Sequence, residues 1–436
     1  MVANARGACR WIATRPPRAY LIAGWIVFLL GCYPGFLSIE SALHLYEVRS
    51  GVYSDVHPTL MTLAWRTLEL GMAGPFPMLL LQSGLFLFGL AAVLRTLVTA
   101  RAAAIAASCV LLFPPVFVVM ASIWADSLMA GALLGACGAL LQPQPRWKVL
   151  GGVLLVLACD CRLAAVAAAV PILALVPMTL VGWKRIAMIA SIAISIEGAA
   201  IICDRVLVDN ETYELQQAVM LPDTISVLRR NHVTSVHALD EALAGVPIVD
   251  HARLRDFISK GKDPAGWWGL SHGDKRLFEP LATPDQTYAL FRAWRHAVLR
   301  HPGAYLKHRE AIALRLLGLS GGNPAVLMDL GDFDLLGPMH HRALPSMWER
   351  VTGTIVETTR SLQLFRSFIY LLLALLLVAV GKLRIVRVFA ISGAAYEIAM
   401  MLFAPNSEYR YSHWLVVAAT IAAVVRFVAK RYAVSR

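Results

Sequence analysis

Long apolar runs separated by short polar breaks fill positions 1–205, give way to a mixed stretch over 206–360, and return over 361–436. Each run is a candidate transmembrane helix, because lipid offers backbone N–H and C=O groups no partner outside their own helix. The pattern predicts ten spans: Leu21–Ser38, Phe76–Leu94, Ala102–Met120, Ser127–Leu141, Val149–Cys159, Leu163–Val181, Ile186–Cys203, Leu364–Val380, Val388–Ala404 and Trp414–Val425. The fifth is short for a hydrocarbon core of about 30 Å; it is expected to tilt, extend, or break near Asp160-Cys161-Arg162. The expected fold class is therefore an all-α polytopic membrane protein of about ten transmembrane helices. Its blocks are a seven-span half (1–205), a mostly helical extramembrane segment (206–360) and a three-span part (361–436).

Within the middle segment, Thr283-Pro284-Asp285 reads as a helix start, with Thr283 as cap and Pro284 at the first helical position. That helix should run to His301-Pro302, and a second should begin around Pro302. Gly318–Pro324 and Gly331–Pro338 read as loops, and strand-type alternation is scarce.

Composition agrees: 58% hydrophobic residues and a mean hydropathy of +0.63 exclude an ordinary soluble globular chain. Charge sets the orientation. Under the ten-span reading the pieces on one side carry 17 Lys and Arg with no Asp or Glu, from Arg6, Arg10, Arg15 and Arg18 to Arg426, Lys430, Arg431 and Arg436. The stretch Val206–Arg360 is nearly neutral, with 17 basic and 18 acidic residues. The net charge of +12 is thus a positive-inside signal rather than a nucleic-acid footprint. Both termini are expected in the cytoplasm and the middle segment outside. Fusing the fifth and sixth spans would put Lys184, Arg185 and Lys382–Arg387 outside, against that rule. None of the seven cysteines lies in the middle segment, and Cys159-x-Cys161 lacks zinc-ligand spacing.

The acidic groups at the span boundaries all fall on the outer side. Glu40 and Asp55 lie in the first outer loop (39–75), Asp126 between the third and fourth spans, Asp160 and Arg162 at the next outer turn, and Glu408 and Arg410 at the last. Such groups are costly at a membrane and are retained for chemistry or transport. Together they suit transfer from a lipid phosphate: a carboxylate deprotonates an acceptor hydroxyl while Arg or His holds the phosphate. Arg162, Arg205, Arg309 and Arg410 are the outer guanidiniums near helix ends, and His57 is placed to bind phosphate or relay a proton.

Structural readings stand beside these. Asp55 suits a cap for the helix after Pro58, Glu40 a solvated residue past a span, Asp126 a charge at a helix N-terminus, and Asp160 a partner for Arg162. Trp124, Trp183, Trp267 and Trp268 read as interfacial anchors. Glu197 and Glu397, inside apolar runs, suit interhelical hydrogen bonding or transport. No Walker A loop, dinucleotide fingerprint, His-Glu-x-x-His or Gly-x-Ser-x-Gly occurs. No metal-ligand set declares itself, His340-His341 being a weak signal, although carboxylates alone suffice for magnesium or manganese.

Four stretches carry a resemblance: Tyr33-Pro34-Gly35 through Ile39-Glu40-Ser41, Asp55-Val56-His57-Pro58-Thr59-Leu60, Ile123-Trp124-Ala125-Asp126, and Tyr409-Arg410-Tyr411. The helical stretch from Trp294 to Arg309 joins them. In order and placement they resemble membrane glycosyltransferases of the GT-C class, which include protein O-mannosyltransferases and lipid A aminoarabinose transferases. The resemblance implies a polyprenyl-phosphate-linked sugar as donor, a glycan, lipid or protein of the cell envelope as acceptor, and transfer with inversion at the outer face of a bacterial inner membrane. It implies Glu40 as general base, with Asp55 as rival because the matching position is more often Asp. It also implies His57, Asp126, Arg162, Tyr409 and Arg410 around the substrate phosphate. The first loop has no Asp-x-Asp, which separates the chain from a clear metal-dependent pattern. The competing class is a non-enzymatic transporter or flippase for a lipid-linked glycan, centred on Glu197 and Glu397.

Overall fold

A computed structural model describes residues 15–176, 180–209, 214–260, 268–271, 275–321 and 347–434. His340-His341 and Trp267 lie outside the described residues. Among those described, all regular structure is helical, apart from isolated bridges at Phe36–Ser122 and Ile248–Phe278. The first half holds α1 (Pro17–Cys32), α2 (Ile39–Ser50), α3 (Thr59–Glu69), α4 (Phe76–Leu94), α5 (Ala100–Leu111), α6 (Pro114–Met120), α7 (Ala125–Leu140), α8 (Pro145–Cys161), α9 (Ala165–Leu173) and α10 (Gly182–Leu207). The middle segment adds α11 (Glu214–Arg230), α12 (Val236–Ala242), α13 (His251–Ser259), α14 (Pro284–Arg300), α15 (Pro302–Leu316) and α16 (Met347–Ser361). The last part is α17 (Ser367–Val380), α18 (Arg384–Phe403), a 3-10 turn Tyr409–Ser412, and α19 (His413–Val434).

Among the described residues, four helical stretches are long and apolar enough to cross a membrane: Phe76–Leu94, Gly182–Leu207, Arg384–Phe403 and Tyr409–Val428. A fifth is formed if α5 and α6, bent by 72° around the Pro114-Pro115 pair, count as one broken span. Three shorter apolar helices, α1, α7 and α17, join them. The run expected over Leu163–Val181 departs most from a span. It is helical over the nine residues of α9, with Pro171 inside, which rise about 14 Å against a core of about 30 Å. The outward faces of these helices remain apolar: Ile186, Ile194, Ile202 and Val206 of α10 and Leu372, Leu375 and Leu376 of α17 are exposed. A surface so apolar is a lipid-contacting surface, because a water-exposed one of this extent is rare.

Close backbone approach builds the centre of the bundle. A Cβ on Gly89 of α4 would lie 2.5 Å from the Gly135 nitrogen, and one on Gly131 of α7 would lie 2.5 Å from the Gln82 carbonyl oxygen. The Gly131-x-x-x-Gly135 spacing puts both glycines on one face of α7, the small-residue device that joins helices where lipid tails remove the hydrophobic drive. α8 also packs on α7, and α18 and α19 pair and reach back to α9 and α7. Ser392 of α18 donates to the Ala168 carbonyl at 2.7 Å and accepts from Trp414 Nε1 at 2.9 Å. One apolar core therefore runs from Phe28 to Val425, joining both ends of the chain.

The middle segment has its own smaller core, built on Leu221, Ile225, Leu254, Phe278 and Leu290. Its two expected helices form as read: Thr283 Oγ1 accepts from Gln286 N–H at 3.3 Å, Pro284 opens α14, and α15 begins at Pro302. The segment is anchored to the bundle by Arg309. Its guanidinium donates to Asp223 Oδ2 at 2.6 Å and to the Ala404 carbonyl at the end of α18 at 2.9 Å. Trp294 Nε1 donates to the same Asp223 oxygen at 3.0 Å.

Candidate active site

Two backbone bonds stitch the segment between α1 and α2 to the turn before α7. Phe36 N–H donates to the Ala121 carbonyl and Ile123 N–H to the Phe36 carbonyl, both at 2.9 Å. Side chains reinforce the seam: Ser41 Oγ donates to the Ile123 carbonyl at 2.6 Å, and Trp124 Nε1 donates to Ser38 Oγ at 2.9 Å. Ser38 also caps α2 by accepting from Ser41 N–H, and Gly51, at φ +74° in the left-handed region, ends that helix. Glu40 and Asp126 thus both enter the first turn of a helix, where exposed N–H groups favour a carboxylate, and the two helix starts are held side by side.

Two arginines meet these acids. Arg162, at the end of α8, grips Asp126 with two bonds, Nε to Oδ1 at 3.0 Å and Nη2 to Oδ2 at 2.8 Å. Arg410 of the 3-10 turn lies 2.6 Å from Glu40 through Nη2 and 2.5 Å from Glu408 through Nε. Its Nη1 is buried and has no hydrogen-bond partner. Tyr411 lies between the two cations, with Arg162 at 4.9 Å and Arg410 at 5.1 Å from its ring centroid, and Arg410 also lies 5.1 Å from the Trp124 ring. Burial pushes the Glu40 carboxyl up, but Arg410 and Arg162 outweigh it and hold the group down at about 2.

A second group of polar side chains lies beside Glu40. Glu40, His44 and Glu47 follow one another at i, i+4 and i+7 on α2, and so share a face. His44 and His57 stack with ring centroids 4.5 Å apart. His57 Nδ1 lies 3.0 Å from Glu47, Ser54 donates to Glu47, and His44 Nε2 meets Thr62 Oγ1 at 2.7 Å. Burial first, and then His57, lower the His44 pKa well below the ordinary imidazole value, so this ring is neutral at pH 7. His57 lowers the Glu40 pKa as well, the smallest of the named contributions.

Most of the expected residues converge, with corrections of role. Glu40, Asp126, Arg162 and Arg410 form one contiguous cluster and His57 lies next to it. Asp126 is the clamp that orients Arg162. Asp160 does not pair with Arg162; it accepts from Leu60 N–H at 3.1 Å and so caps α3 from another helix, while Thr59 Oγ1 donates to Asp204 at 2.7 Å. Asp55 sits half-buried in the bend before α3, whose N-cap residue Pro58 makes no side-chain cap bond. Tyr409 faces away from the arginines, its hydroxyl donating to the Pro115 carbonyl at 3.3 Å and its ring packing on Phe365. Trp124, read as an interfacial anchor, is instead 6% exposed and built into the site.

The sequence reading placed Glu408 among the acidic groups at the span boundaries but gave no site role to Tyr411, His44 or Glu47. The spacing of Glu40, His44 and Glu47 was an available signal for the last two. Inside the bundle, Glu397 accepts from Ser412 at 2.8 Å and its other oxygen is unpartnered. Among the described residues no group of three or more His, Cys, Asp or Glu is arranged to hold a metal ion. No family model, curated protein or solved structure matches this chain.

Proposed function

We propose that this chain is a membrane glycosyltransferase of the GT-C type, moving a sugar from a polyprenyl-phosphate donor to a cell-envelope acceptor. The observation that supports it is the carboxylate–guanidinium cluster of Glu40, Arg410, Arg162 and Asp126, drawn from both ends of the chain to one end of an apolar bundle. In this reading Glu40 takes the proton of an acceptor hydroxyl as its oxygen attacks the anomeric carbon. The bond from that carbon to the phosphate oxygen breaks, and polyprenyl phosphate leaves with the electron pair. Arg410 and Arg162 stabilise the charge gathering on the leaving phosphate, and attack opposite the leaving group inverts the anomeric centre.

One electrostatic condition follows. A carboxyl held at about 2 by Arg410 is a weak base. A donor phosphate that engages Arg410, through Nη1 and then in place of Glu40, lifts that restraint and raises the basicity of Glu40 as the substrate arrives. The proposal includes a ten-pass arrangement in a bacterial inner membrane, both termini cytoplasmic and residues 206–360 periplasmic, in keeping with the positive-inside charge pattern.

The test is transfer from a lipid-linked sugar to a cell-envelope extract. Glu40→Gln that inserts normally should lose transfer; full transfer by both Glu40→Gln and Asp55→Asn would defeat the assignment. A second reading, transport or flipping of a lipid-linked glycan, draws on the buried, half-satisfied Glu397. It gains if Glu397→Gln abolishes function while Glu40→Gln preserves it.

A further inference from the structure

Next to the Asp126–Arg162 pair, α18 and α19 carry polar side chains into the bundle that the Glu40 chemistry does not use. Glu397, Tyr396, Ser412 and His413 are all fully buried. Glu397 lies six residues, about 9 Å, before the end of α18 at Phe403, in a helix long and apolar enough to cross a membrane. Its Oε1 accepts from Ser412 Oγ at 2.8 Å, and its Oε2 is buried with no hydrogen-bond partner. Tyr396 Oη and both ring nitrogens of His413 are buried and unpartnered as well. Tyr396 stands within electrostatic reach of both Glu397 and Asp126, and His413 within reach of Asp126. Polar groups therefore run inward from the partly exposed Arg162, through Asp126, to Glu397.

Four unpartnered polar atoms in one apolar bundle set a chemical condition. Buried polar atoms in folded proteins are nearly always hydrogen-bonded, and those without a protein partner mark a bound water, ion or proton. A carboxylate is the most demanding of them. Among the described residues no cation pairs with Glu397, and the nearby Arg162 is already neutralised by Asp126 through two bonds. An uncompensated charge at this depth is avoided by keeping the proton. The protonated carboxyl then has a donor at Oε2, the Tyr396 phenol a donor and an acceptor, and neutral His413 one of each. No direct bond joins these groups, whereas water, with two donors and two acceptors, completes the set. We propose that Glu397 is an intramembrane proton-binding site, protonated at neutral pH and joined by internal water to Tyr396, His413 and the Asp126–Arg162 pair. Acidic and histidine side chains inside membrane helices are the material of proton relays. The site stands apart from the Glu40 chemistry and does not depend on the glycosyltransferase reading.

Infrared difference spectroscopy on the full chain at pH 7 tests it, in a maltoside detergent that has no carbonyl of its own. The wild-type minus Glu397→Gln spectrum should contain the carbonyl stretch of a protonated carboxyl, and that band should shift down on transfer to heavy water. Ser412→Ala, which removes the bond to Oε1, should move the band to higher frequency. Tyr396→Phe, which removes an unpartnered hydroxyl, should keep the band and slow its exchange in heavy water at least threefold. Glu357→Gln, at an exposed carboxylate, should leave this region of the spectrum unchanged. If Glu397→Gln fails to fold, the shift caused by Ser412→Ala carries the test alone. Absence of the band, or of that shift, means an ionised carboxylate and overturns the proposal. A band that never exchanges in heavy water, or Tyr396→Phe exchanging at the wild-type rate, overturns the water-joined site.

Discussion

Glu40 and Arg410 lie 2.6 Å apart although one sits in the first turn of α2 and the other in the turn just before α19. The pair makes Arg410 a shared partner, held now by Glu40 and Glu408 and suited to a phosphate by the same forked geometry. If the proposed function holds, Glu40→Gln should reduce sugar transfer by about 10²–10⁴-fold, the usual contribution of a positioned base. Asp55→Asn should retain most activity, because the proposed base is Glu40, which lies 2.6 Å from Arg410. Initial rates with a lipid-linked donor, on variants matched for insertion, check this.

The pH dependence of stability has a definite sign. The Glu40 carboxyl is held at about 2 in the folded protein, below its ordinary value of 4.5. Its stabilising contribution is complete above about pH 4.5 and is lost as pH falls through about 2. The difference in melting temperature between wild type and Glu40→Gln should stay level from pH 7 to about 4.5 and shrink towards zero near pH 2. A difference that vanished by pH 5 would contradict the pairing.

Asp126 and Arg162 form the more buried ion pair, with Asp126 fully shielded. Asp126→Asn leaves the Arg162 charge without its counterion and should cost about 3–5 kcal/mol. The double variant Asp126→Asn/Arg162→Gln should be less destabilised than the sum of the two singles, since removing both charges leaves none uncompensated. Thermal unfolding in detergent, arranged as a double-mutant cycle, reads the coupling.

Close packing of α4 on α7 gives a test of the scaffold. Gly89→Ala places a methyl 2.5 Å from backbone atoms of α7 and should destabilise by about 1–3 kcal/mol. Gly152→Ala, with nothing within 4 Å of the added carbon, is the matched control and should be neutral or slightly stabilising. Melting temperatures of the two variants should separate clearly.

Helix positions set by local chemistry were legible in the sequence. Phe76–Leu94 appears with the expected bounds, and Thr283, Pro284 and Pro302 start helices where capping and proline geometry require. The convergence of Glu40, Asp126, Arg162 and Arg410 was legible in outline, because cost at a membrane boundary singles such residues out. Pairing was not. Arg162 has Asp160 two residues away, yet the end of α8 turns that carboxylate towards α3 and the guanidinium towards α7. Neighbours in sequence compete on equal terms until tertiary packing decides which faces which. Tyr409 and Tyr411 show the same limit: a tight 3-10 turn sends residues two apart to different partners, one to Pro115 and one to the arginines.

The seam between Phe36 and Ile123 bears on how the site is made in time. All its bonds join segments within the first 130 residues, so the carboxylate side of the site is complete once the first seven helices are in place. Its counterion arrives some 280 residues later in synthesis, on the turn between the last two helices. During that interval Glu40 lacks the Arg410 contact that, with Arg162, holds its carboxyl low. On the proposed reading the two-arginine grip on a phosphate is complete only when α18 and α19 deliver Arg410.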